Sequence, residues 1–244
     1  MVGPLSDLAD RMAEAARELQ EQDDPQATME AAVRLAASNI PGCDGASISM
    51  VHKRRDVDTR AYSSAEVLRA DELQYETGEG PCLDAIHDQD LVHAPHLADD
   101  DRWSTWGPRV ERETGFRSVL CFRLFTHQTT VGALNCYSSS HSAFESADRE
   151  EGMVIAAHIA VAVATAQKVA SAEAGLHYRS VVGQAMGIIM ERFAVGPDQA
   201  VSLLQRLSSH ANVKLRDIAV EIVATRRIRD TQDHEQAVPP PRVG

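Results

Sequence analysis

The sequence lacks an apolar run long enough to cross a membrane. A spanning helix needs about 20 consecutive apolar residues. The longest run, MVIAAHIAVAVATA at residues 153–166, is shorter than that and contains His158. The first residues, MVGPLSDLADRMAEAARELQE, also lack the basic stretch and apolar centre of a secretory signal. We therefore expect a soluble, cytoplasmic protein without a membrane partner.

Cysteine is scarce and widely spaced. The four cysteines, Cys43, Cys82, Cys121 and Cys136, include no CxxC pair. This spacing is typical neither of a zinc site nor of a disulfide framework. Buried free thiols are the expected state of such residues.

Positive charge is in deficit over the whole chain but not in every part of it. The 244 residues carry 24 Lys and Arg against 36 Asp and Glu, and this balance argues against a general nucleic-acid coat protein. Residues 1–175 hold 15 basic against 29 acidic residues, whereas residues 176–230 hold 8 against 5. The change of sign slightly favours two modules with different partners over local scatter.

The pattern before residue 140 predicts helices around an antiparallel sheet. Helices are expected at residues 5–20, 26–39, 65–74 and 107–114, and strands at residues 46–53, 59–64, 91–95, 118–125 and 130–138. Gln128 and Thr129 fit a tight connection between the last two strands. Residues 97–106, LADDDRWSTW, are typical of an exposed loop.

The pattern after residue 140 predicts helices only. Residues 147–174 form one long alanine-rich helix, so apolar in its first half that it must be buried, and a second copy of the chain is a natural cover. Three further helices are expected at residues 176–193, 198–210 and 213–229, with Asn212 as the N-cap of the last. Residues 231–244 have no core-forming content and are expected to be disordered.

The glycine motif GEGPC, residues 78–82, is the first candidate for chemistry. It lacks the Lys and Ser/Thr of a Walker loop and the third glycine of a dinucleotide fingerprint. A helix that starts at Pro81 could still receive an anion on its free N–H groups. A structural turn, with Pro81 at the first helical position, is the interpretation we favour.

Three other groups of residues admit a functional and a structural interpretation. Cys82 could act as a nucleophile with His87, but no third group is evident and a packed or ligand-lining thiol is favoured. Histidines and aspartates between residues 84 and 101 fit no named metal pattern, so solvated surface is favoured. Trp103 and Trp106 either cover a pocket or anchor their loop. Because no catalytic set is found, we expect no enzyme.

Basic residues collect towards the C-terminus. Several of them lie mostly away from the apolar stripe of the last predicted helix: Lys214, Arg216, Arg226, Arg227 and Arg229, with Arg179, Arg192 and Arg206 on the two helices before it. They could form a face for phosphates. A solvated helix surface is the alternative, and charge alone favours it.

The run GQAMGIIMERF…PDQAVSLLQRLSSHANVKLRDIAVEIV resembles the ANTAR domain, a three-helix RNA-binding module of bacterial antitermination regulators. The resemblance covers about residues 176–229. It implies that the following residues contact RNA: Arg179, Gln184, Ala185, Gly187, Arg206, Asn212, Lys214 and Arg216. Met186 and Val201 depart from the family, which usually has a lysine and an aromatic residue there. A lost phosphate contact would weaken binding and flatten its salt dependence.

The segments GEGPCLDAI, DDRW, GFRSVLCFRLF, VGALNCYS and AFESADRE resemble the GAF domains that are fused to ANTAR domains in actinobacteria. GAF domains place a central antiparallel sheet between helices and often hold a small ligand, for which Cys82, Trp103 and Phe122 are the candidate pocket residues. The implied fold is α+β: a GAF-like domain, a long connecting helix and a C-terminal three-helix bundle.

The two resemblances together give a domain plan and a function. The plan is an N-terminal amphipathic helix at 1–24, a GAF domain at 25–168, a helical connection at 169–175, an ANTAR domain at 176–230 and a tail at 231–244. The implied protein is a homodimeric regulator that binds paired RNA stem-loops in a leader transcript under control of its sensor. The alternatives are a GAF scaffold with a protein-binding bundle, and a thiol redox sensor through Cys82.

Overall fold

A computed structural model describes residues 4–52, 56–87, 89–127 and 129–228. The chain divides into two compact units, residues 1–170 and residues 171–244. The predicted tail at 231–244, Arg229 and the turn residue Gln128 lie outside the described residues.

The first unit is built on a five-stranded antiparallel sheet. Its strands are β1 (Gly45–Val51), β2 (Val57–Tyr62), β3 (Leu91–Ala94), β4 (Ser118–Thr126) and β5 (Thr129–Ser138). Their order across the sheet is β2-β1-β5-β4-β3. Ser47 of β1 pairs with Asn135 of β5, which in turn pairs with Cys121 of β4. The register therefore aligns polar side chains of the three central strands.

Helices cover both faces of this sheet. They are α1 (Pro4–Gln20), α2 (Pro25–Asn39), α3 (Ala65–Thr77), α4 (Pro81–His87), α5 (Trp106–Thr114) and the first part of α6 (Ser146–Phe193). Successive strand residues point to opposite faces, so Leu120 and Phe122 join the core that includes residues of α2 and α6. Val119 and Cys121 join the second core, with residues of α3, α4 and α5. The central strands are therefore buried on both faces.

Helix α6 runs from Ser146 to Phe193 without a break, which corrects the expected division into helices at 147–174 and 176–193. Gly175 lies inside it. By length and composition alone α6 would qualify as a membrane span, with a mean hydropathy of 1.6 over its most apolar 18 residues. However, Ile155, Ile159 and Val163, spaced four apart, are buried in the core beneath the sheet. One face of the apolar segment is therefore covered by its own domain.

The second unit is a three-helix bundle formed by the end of α6, by α7 (Pro197–Ala211) and by α8 (Leu215–Thr225). Its core contains Val181, Ala185, Ile189, Ala200, Leu204, Leu207, Ile218, Ala219 and Ile222. Within α6 the three core residues are four apart and so share one helix face. The structure thus shows the expected α+β fold with a long helix and a C-terminal bundle.

Asn212 does not begin the last helix, as the sequence suggested, but ends α7. Its φ of 51° is left-handed, and its backbone N–H donates to the carbonyls of Ser208 and Ser209. Asparagine tolerates this conformation better than most residues, which explains the correction. Lys214 stands at the N-cap of α8 and makes no side-chain capping bond.

Candidate functional site

The most polar part of the first unit lies inside it, between the sheet and α3. Asp71 of α3 is fully buried and accepts hydrogen bonds from Tyr137 Oη at 2.7 Å, Thr59 Oγ1 at 2.8 Å and Asn135 Nδ2 at 3.1 Å. Asn135 Nδ2 lies equally close to the hydroxyl oxygens of Ser47 and Ser49. Asp71 is therefore the common acceptor that links α3 to β2 and β5, and Asn135 extends the links to β1; we call this group the Asp71 network.

Burial raises the pKa of Asp71, although its hydrogen-bond donors act in the opposite direction. The carboxyl group has lost its water, and the groups that donate to it are neutral hydroxyls and amides. A buried carboxylate without a cation is unfavourable, so the proton is held more tightly than in the unfolded chain.

The GEGPC motif is tied to the same network through Gln74. The side-chain oxygen of Gln74 accepts from the backbone N–H of Cys82 at 2.8 Å, and its amide nitrogen donates to Tyr137 Oη at 3.1 Å. Gly80 has a φ of 141°, and a Cβ there would lie 2.3 Å from Gln74 Oε1. The Cys82 N–H at the start of α4 is thus already satisfied. This geometry supports a structural turn and not an anion site.

Glu79, the residue between the two glycines of the motif, caps a different helix. Its carboxylate accepts from the backbone N–H groups of Thr105 at 2.9 Å and Trp106 at 3.1 Å, and from Thr105 Oγ1 at 2.9 Å. The bonds from Thr105 and Trp106 lower the pKa of Glu79. The motif therefore caps α5, which begins 27 residues further along the chain.

The tryptophan segment is buried, so the expectation of an exposed loop at residues 97–106 was wrong for both indoles. Trp103 and Trp106 pack edge to face at 5.7 Å. Trp103 Nε1 donates to Asp84 at 3.0 Å, and Trp106 Nε1 donates to the carbonyl of Ala70 at 3.0 Å. The two rings anchor α5 and the turn before it to α3 and α4.

The three candidate pocket residues are not brought together. Cys82 and Trp103 are buried in the core between the sheet and α3, α4 and α5, whereas Phe122 faces the opposite core. Phe122 lines a separate open groove of about 670 Å³ between β4 and α6, together with Phe125, Met153 and Val161. A single pocket therefore cannot use all three residues.

The thiols have the surroundings of structural cysteines. Cys82 and Cys121 are fully buried, and Cys121 Sγ donates to Asn135 Oδ1 at 2.9 Å. Burial raises the pKa of the Cys121 thiol. Reactive cysteines are accessible to solvent, so the complete burial of Cys82 argues against a redox sensor through this residue.

The predicted histidine and aspartate group does not gather into one site. His87 is exposed, His93 packs edge to face on Phe144, and His96 lies beside His141 with their Nδ1 atoms 3.1 Å apart. Within the described ranges, no three His, Cys, Asp or Glu side chains are grouped as metal ligands.

In the second unit, one of the eight candidate RNA-contacting residues is buried. Ala185 has no exposed surface and packs in the bundle core, so its small size serves helix packing. The other seven are exposed: Arg179, Gln184, Gly187, Arg206, Asn212, Lys214 and Arg216.

Helix topology places four of the seven at one end of the bundle. Short connections join the three helices, so neighbours in sequence run antiparallel. The turn at Asn212 and Lys214 therefore lies at the end of the bundle where the α6 segment begins, which is also the end that carries Arg179. Arg216 follows in the first turn of α8. We call Arg179, Asn212, Lys214 and Arg216 the basic end.

A second exposed feature lies between α6 and α8 and was not anticipated from the sequence. It is an open groove of about 580 Å³, which we call the α6–α8 groove. Gln184, Glu191 and Arg192 of α6 line one side, and Val223 and Arg226 line the other. The helical spacing of Gln184, Ile188 and Glu191 was the only signal that could have grouped them.

Comparison with known proteins identifies both units. The GAF domain family model matches residues 22–164, and the ANTAR domain model matches residues 170–223. A comparison of the sequence with curated proteins gives no match.

Solved structures with the same fold are distant in sequence. GAF domains of phosphoenolpyruvate-protein phosphotransferases from Acinetobacter and Coxiella burnetii are 14% and 12% identical, with TM-scores of 0.52 and 0.54. The matched regions make up 67% and 69% of this chain, and 97% and 99% of the two solved domains. The free methionine-R-sulfoxide reductase of Neisseria meningitidis, solved with its substrate, is 12% identical with a TM-score of 0.53, over 66% of this chain and 91% of its own. These similarities establish the fold alone.

Proposed function

Because this chain belongs to the GAF domain family through residues 22–164 and carries an ANTAR domain at residues 170–223, we propose that it is a regulator in which a GAF sensor controls RNA binding by the ANTAR bundle. The observation that carries the proposal is the basic end of a bundle that matches the ANTAR model. The RNA is proposed to be paired stem-loops in leader transcripts, where binding prevents a terminator from forming. The regulator acts in the cytoplasm and catalyses no reaction.

The electrostatics of the bundle support an RNA partner. Residues 176–230 carry a net charge of +3 in a chain whose net charge is −12. Lys214 and Arg216 are exposed, and the ANTAR bundle has its own apolar core. Exposed basic side chains on a module with its own core can neutralise phosphates, although Arg216 would have to exchange its ion pair with Asp217 for one with phosphate.

A direct test is the binding of a fluorescent RNA with two tandem stem-loops to the full-length protein at two salt concentrations. We expect saturable binding that weakens steeply as salt rises, since each neutralised phosphate releases a counterion. Binding of a protein partner instead of RNA would give no RNA signal at either salt concentration, and would support the scaffold alternative.

We further propose that two copies pair through α6. In the part of this helix that covers the sheet, the large apolar side chains of Met153, Val154 and Val161 are exposed by 50%, 38% and 59%. They lie on the side of α6 opposite Ile159, because the helix repeats every 3.6 residues. The apolar groove between β4 and α6 adjoins them at Met153 and Val161. A second copy would cover this continuous apolar surface.

We expect Val161→Glu to weaken the dimer by about 100-fold, because a charge replaces an apolar contact in both copies. Sedimentation velocity over a concentration series measures the change. Tyr62→Glu, at an exposed apolar residue on edge strand β2, is the matched control and is expected to leave the dimer intact. A Val161→Glu protein that sediments as the wild type would exclude α6 as the interface.

The sensor role is proposed for the side of the sheet that holds the Asp71 network, near Cys82 and Trp103. Phe122 belongs to the core on the other face of the sheet and takes no part in this site. A ligand at the Asp71 network must replace the hydrogen bonds that the network now makes, so it must itself be polar. It can control the ANTAR bundle only by binding two states of the protein with different affinity.

A further inference from the structure

Two exposed histidines from distant parts of the chain meet beside β3. His96 follows this strand, and His141 lies in the segment between β5 and α6. Their Nδ1 atoms are 3.1 Å apart, whereas the ring centroids are 4.9 Å apart, so the two Nδ1 atoms face each other across one gap. They are separated by 45 residues in sequence, so no local motif could have revealed the contact. We call these two residues the histidine pair.

The backbone on either side of the histidine pair is held in place by other bonds. The N–H of Ser142 donates to the carbonyl of Pro95 at 2.9 Å, which ties the two segments together next to the rings. Ser118 Oγ of β4 donates to the carbonyl of Ser140 at 2.8 Å and so anchors the second segment to the sheet. The two rings are therefore presented by fixed backbone, which is what a ligand site needs to be preorganised.

Hydrogen bonds assign the protons of the histidine pair. Nε2 of His96 lies 3.3 Å from Ser142 Oγ, and the hydroxyl oxygen can accept its N–H. Nδ1 of His96 is then the unprotonated nitrogen and accepts from Nδ1–H of His141. A hydrogen bond on the far ring nitrogen is also the arrangement that orients histidines for a metal ion.

The gap between the two Nδ1 atoms has the size that a metal ion requires. Bonds from zinc to histidine nitrogen are about 2.0–2.1 Å long. Two such bonds to nitrogens 3.1 Å apart enclose an angle of about 95–100° at the metal, between the octahedral and tetrahedral values. The ring of His141 is exposed, so its proton can pass through water from Nδ1 to Nε2 and free the second lone pair.

The donor set selects the class of cation. In the part of the chain that the structure describes, no third His, Cys, Asp or Glu side chain joins the pair, so water completes the coordination. Imidazole suits zinc, nickel and copper, whereas magnesium and calcium prefer oxygen ligands. The site therefore fits a divalent transition-metal ion that exchanges with solvent.

We propose that the histidine pair binds one divalent transition-metal ion, with Nδ1 of His96 and Nδ1 of His141 as its two protein ligands. The bound ion clamps the segment after β3 to the segment that leads into α6. This site lies in the GAF domain and does not depend on the proposed binding of RNA.

The test is isothermal titration calorimetry of the full-length protein with Zn²⁺. We expect one site that His96→Ala and His141→Ala each weaken by at least about 100-fold, because a chelate becomes a single imidazole. His87→Ala, at an exposed histidine at the end of α4, is the matched control and is expected to bind as the wild type does. Mg²⁺ is expected to give no binding, because it prefers oxygen ligands.

Hydrogen exchange locates the ion independently of its affinity. Zn²⁺ is expected to slow amide exchange in residues 95–97 and 139–145 of the wild type but not of either histidine variant. No binding of Zn²⁺ by the wild type, a loss in only one of the two variants or in neither, or slowed exchange confined to other segments would each overturn the proposal. Because both histidines are exposed, the metal-free variants are expected to unfold at the same temperature as the wild type.

Discussion

Replacement of Asp71 with alanine is expected to lower the free energy of unfolding of the GAF domain by about 3 kcal/mol or more. The substitution removes the common acceptor of Tyr137, Thr59 and Asn135 and leaves buried donors without a partner. Each such group costs about 1–3 kcal/mol in mutational data. Urea unfolding followed by tryptophan fluorescence measures the change, since both tryptophans lie in this domain.

Asp71→Asn is the matched control, and it also tests whether the contribution of Asp71 to the free energy of unfolding depends on pH. The amide keeps the shape of the carboxyl group, and its nitrogen can donate to Thr59 Oγ1, so we expect stability within about 1 kcal/mol of wild type. Because the folded pKa of Asp71 is raised, the folded state holds the proton longer than the unfolded chain. The stabilisation is fully present below the ordinary Asp pKa of about 3.9 and is lost as pH rises through the folded value.

Asp71→Asn removes that titration and should flatten this part of the stability profile. Two results would contradict the account of the network. One is an alanine variant as stable as the wild type. The other is a stability difference between the wild type and the Asp71→Asn variant that does not change with pH.

The second large effect is expected at the basic end. Combined Lys214→Glu and Arg216→Glu should weaken binding of tandem stem-loop RNA by about 100-fold and reduce the slope of log affinity against log salt by about 2. Both residues are exposed on the first turn of α8 and its cap. Anisotropy titrations at several salt concentrations measure affinity and slope together.

A charge-matched control separates contact from net charge. Arg112→Glu with Arg117→Glu makes the same change in total charge on exposed residues of the GAF domain. We expect this variant to bind RNA within about 3-fold of the wild type. Equal losses in the two double variants would show that overall charge, and not the basic end, governs binding.

Much of the fold could be predicted from the sequence because local signals agree with the final packing. Strands β4 and β5 lie close to their predicted positions, since apolar and β-branched residues fill both. Pro25 and Pro197 stand at the first residues of α2 and α7, where proline is favoured. These elements needed no information from distant parts of the chain.

The elements that were predicted wrongly depend on backbone hydrogen bonds and tertiary contacts that the local sequence pattern does not show. The predicted helix boundary fell at residue 175, but the glycine there costs only about 1 kcal/mol inside a helix, and a break would leave about eight backbone groups without helical partners. The tryptophan segment looked like a polar loop because the residue that caps α5 is Glu79, far earlier in the chain. Only the tertiary structure brings the two together.

The candidate sites likewise divide into residues that the local sequence predicts and residues that only the tertiary structure brings together. The exposed residues of the basic end follow from the motif, and the structure leaves them on the surface. Ala185 belongs to the same motif yet is buried. The sequence could not predict this burial, because a small residue that faces the core and one that faces solvent look alike in sequence. The Asp71 network could not be derived, since its members come from three strands and a helix that meet only in the folded sheet.

We propose above that this protein recognises RNA through its ANTAR bundle. The most direct measurement is ultraviolet crosslinking in its native host, with sequencing of the RNA recovered on the full-length protein and on the Lys214→Glu, Arg216→Glu variant. The account predicts enrichment of paired stem-loops that precede terminators in leader transcripts, and loss of that enrichment in the variant. Recovery of the same RNA by both proteins, or of no RNA by either, would contradict it.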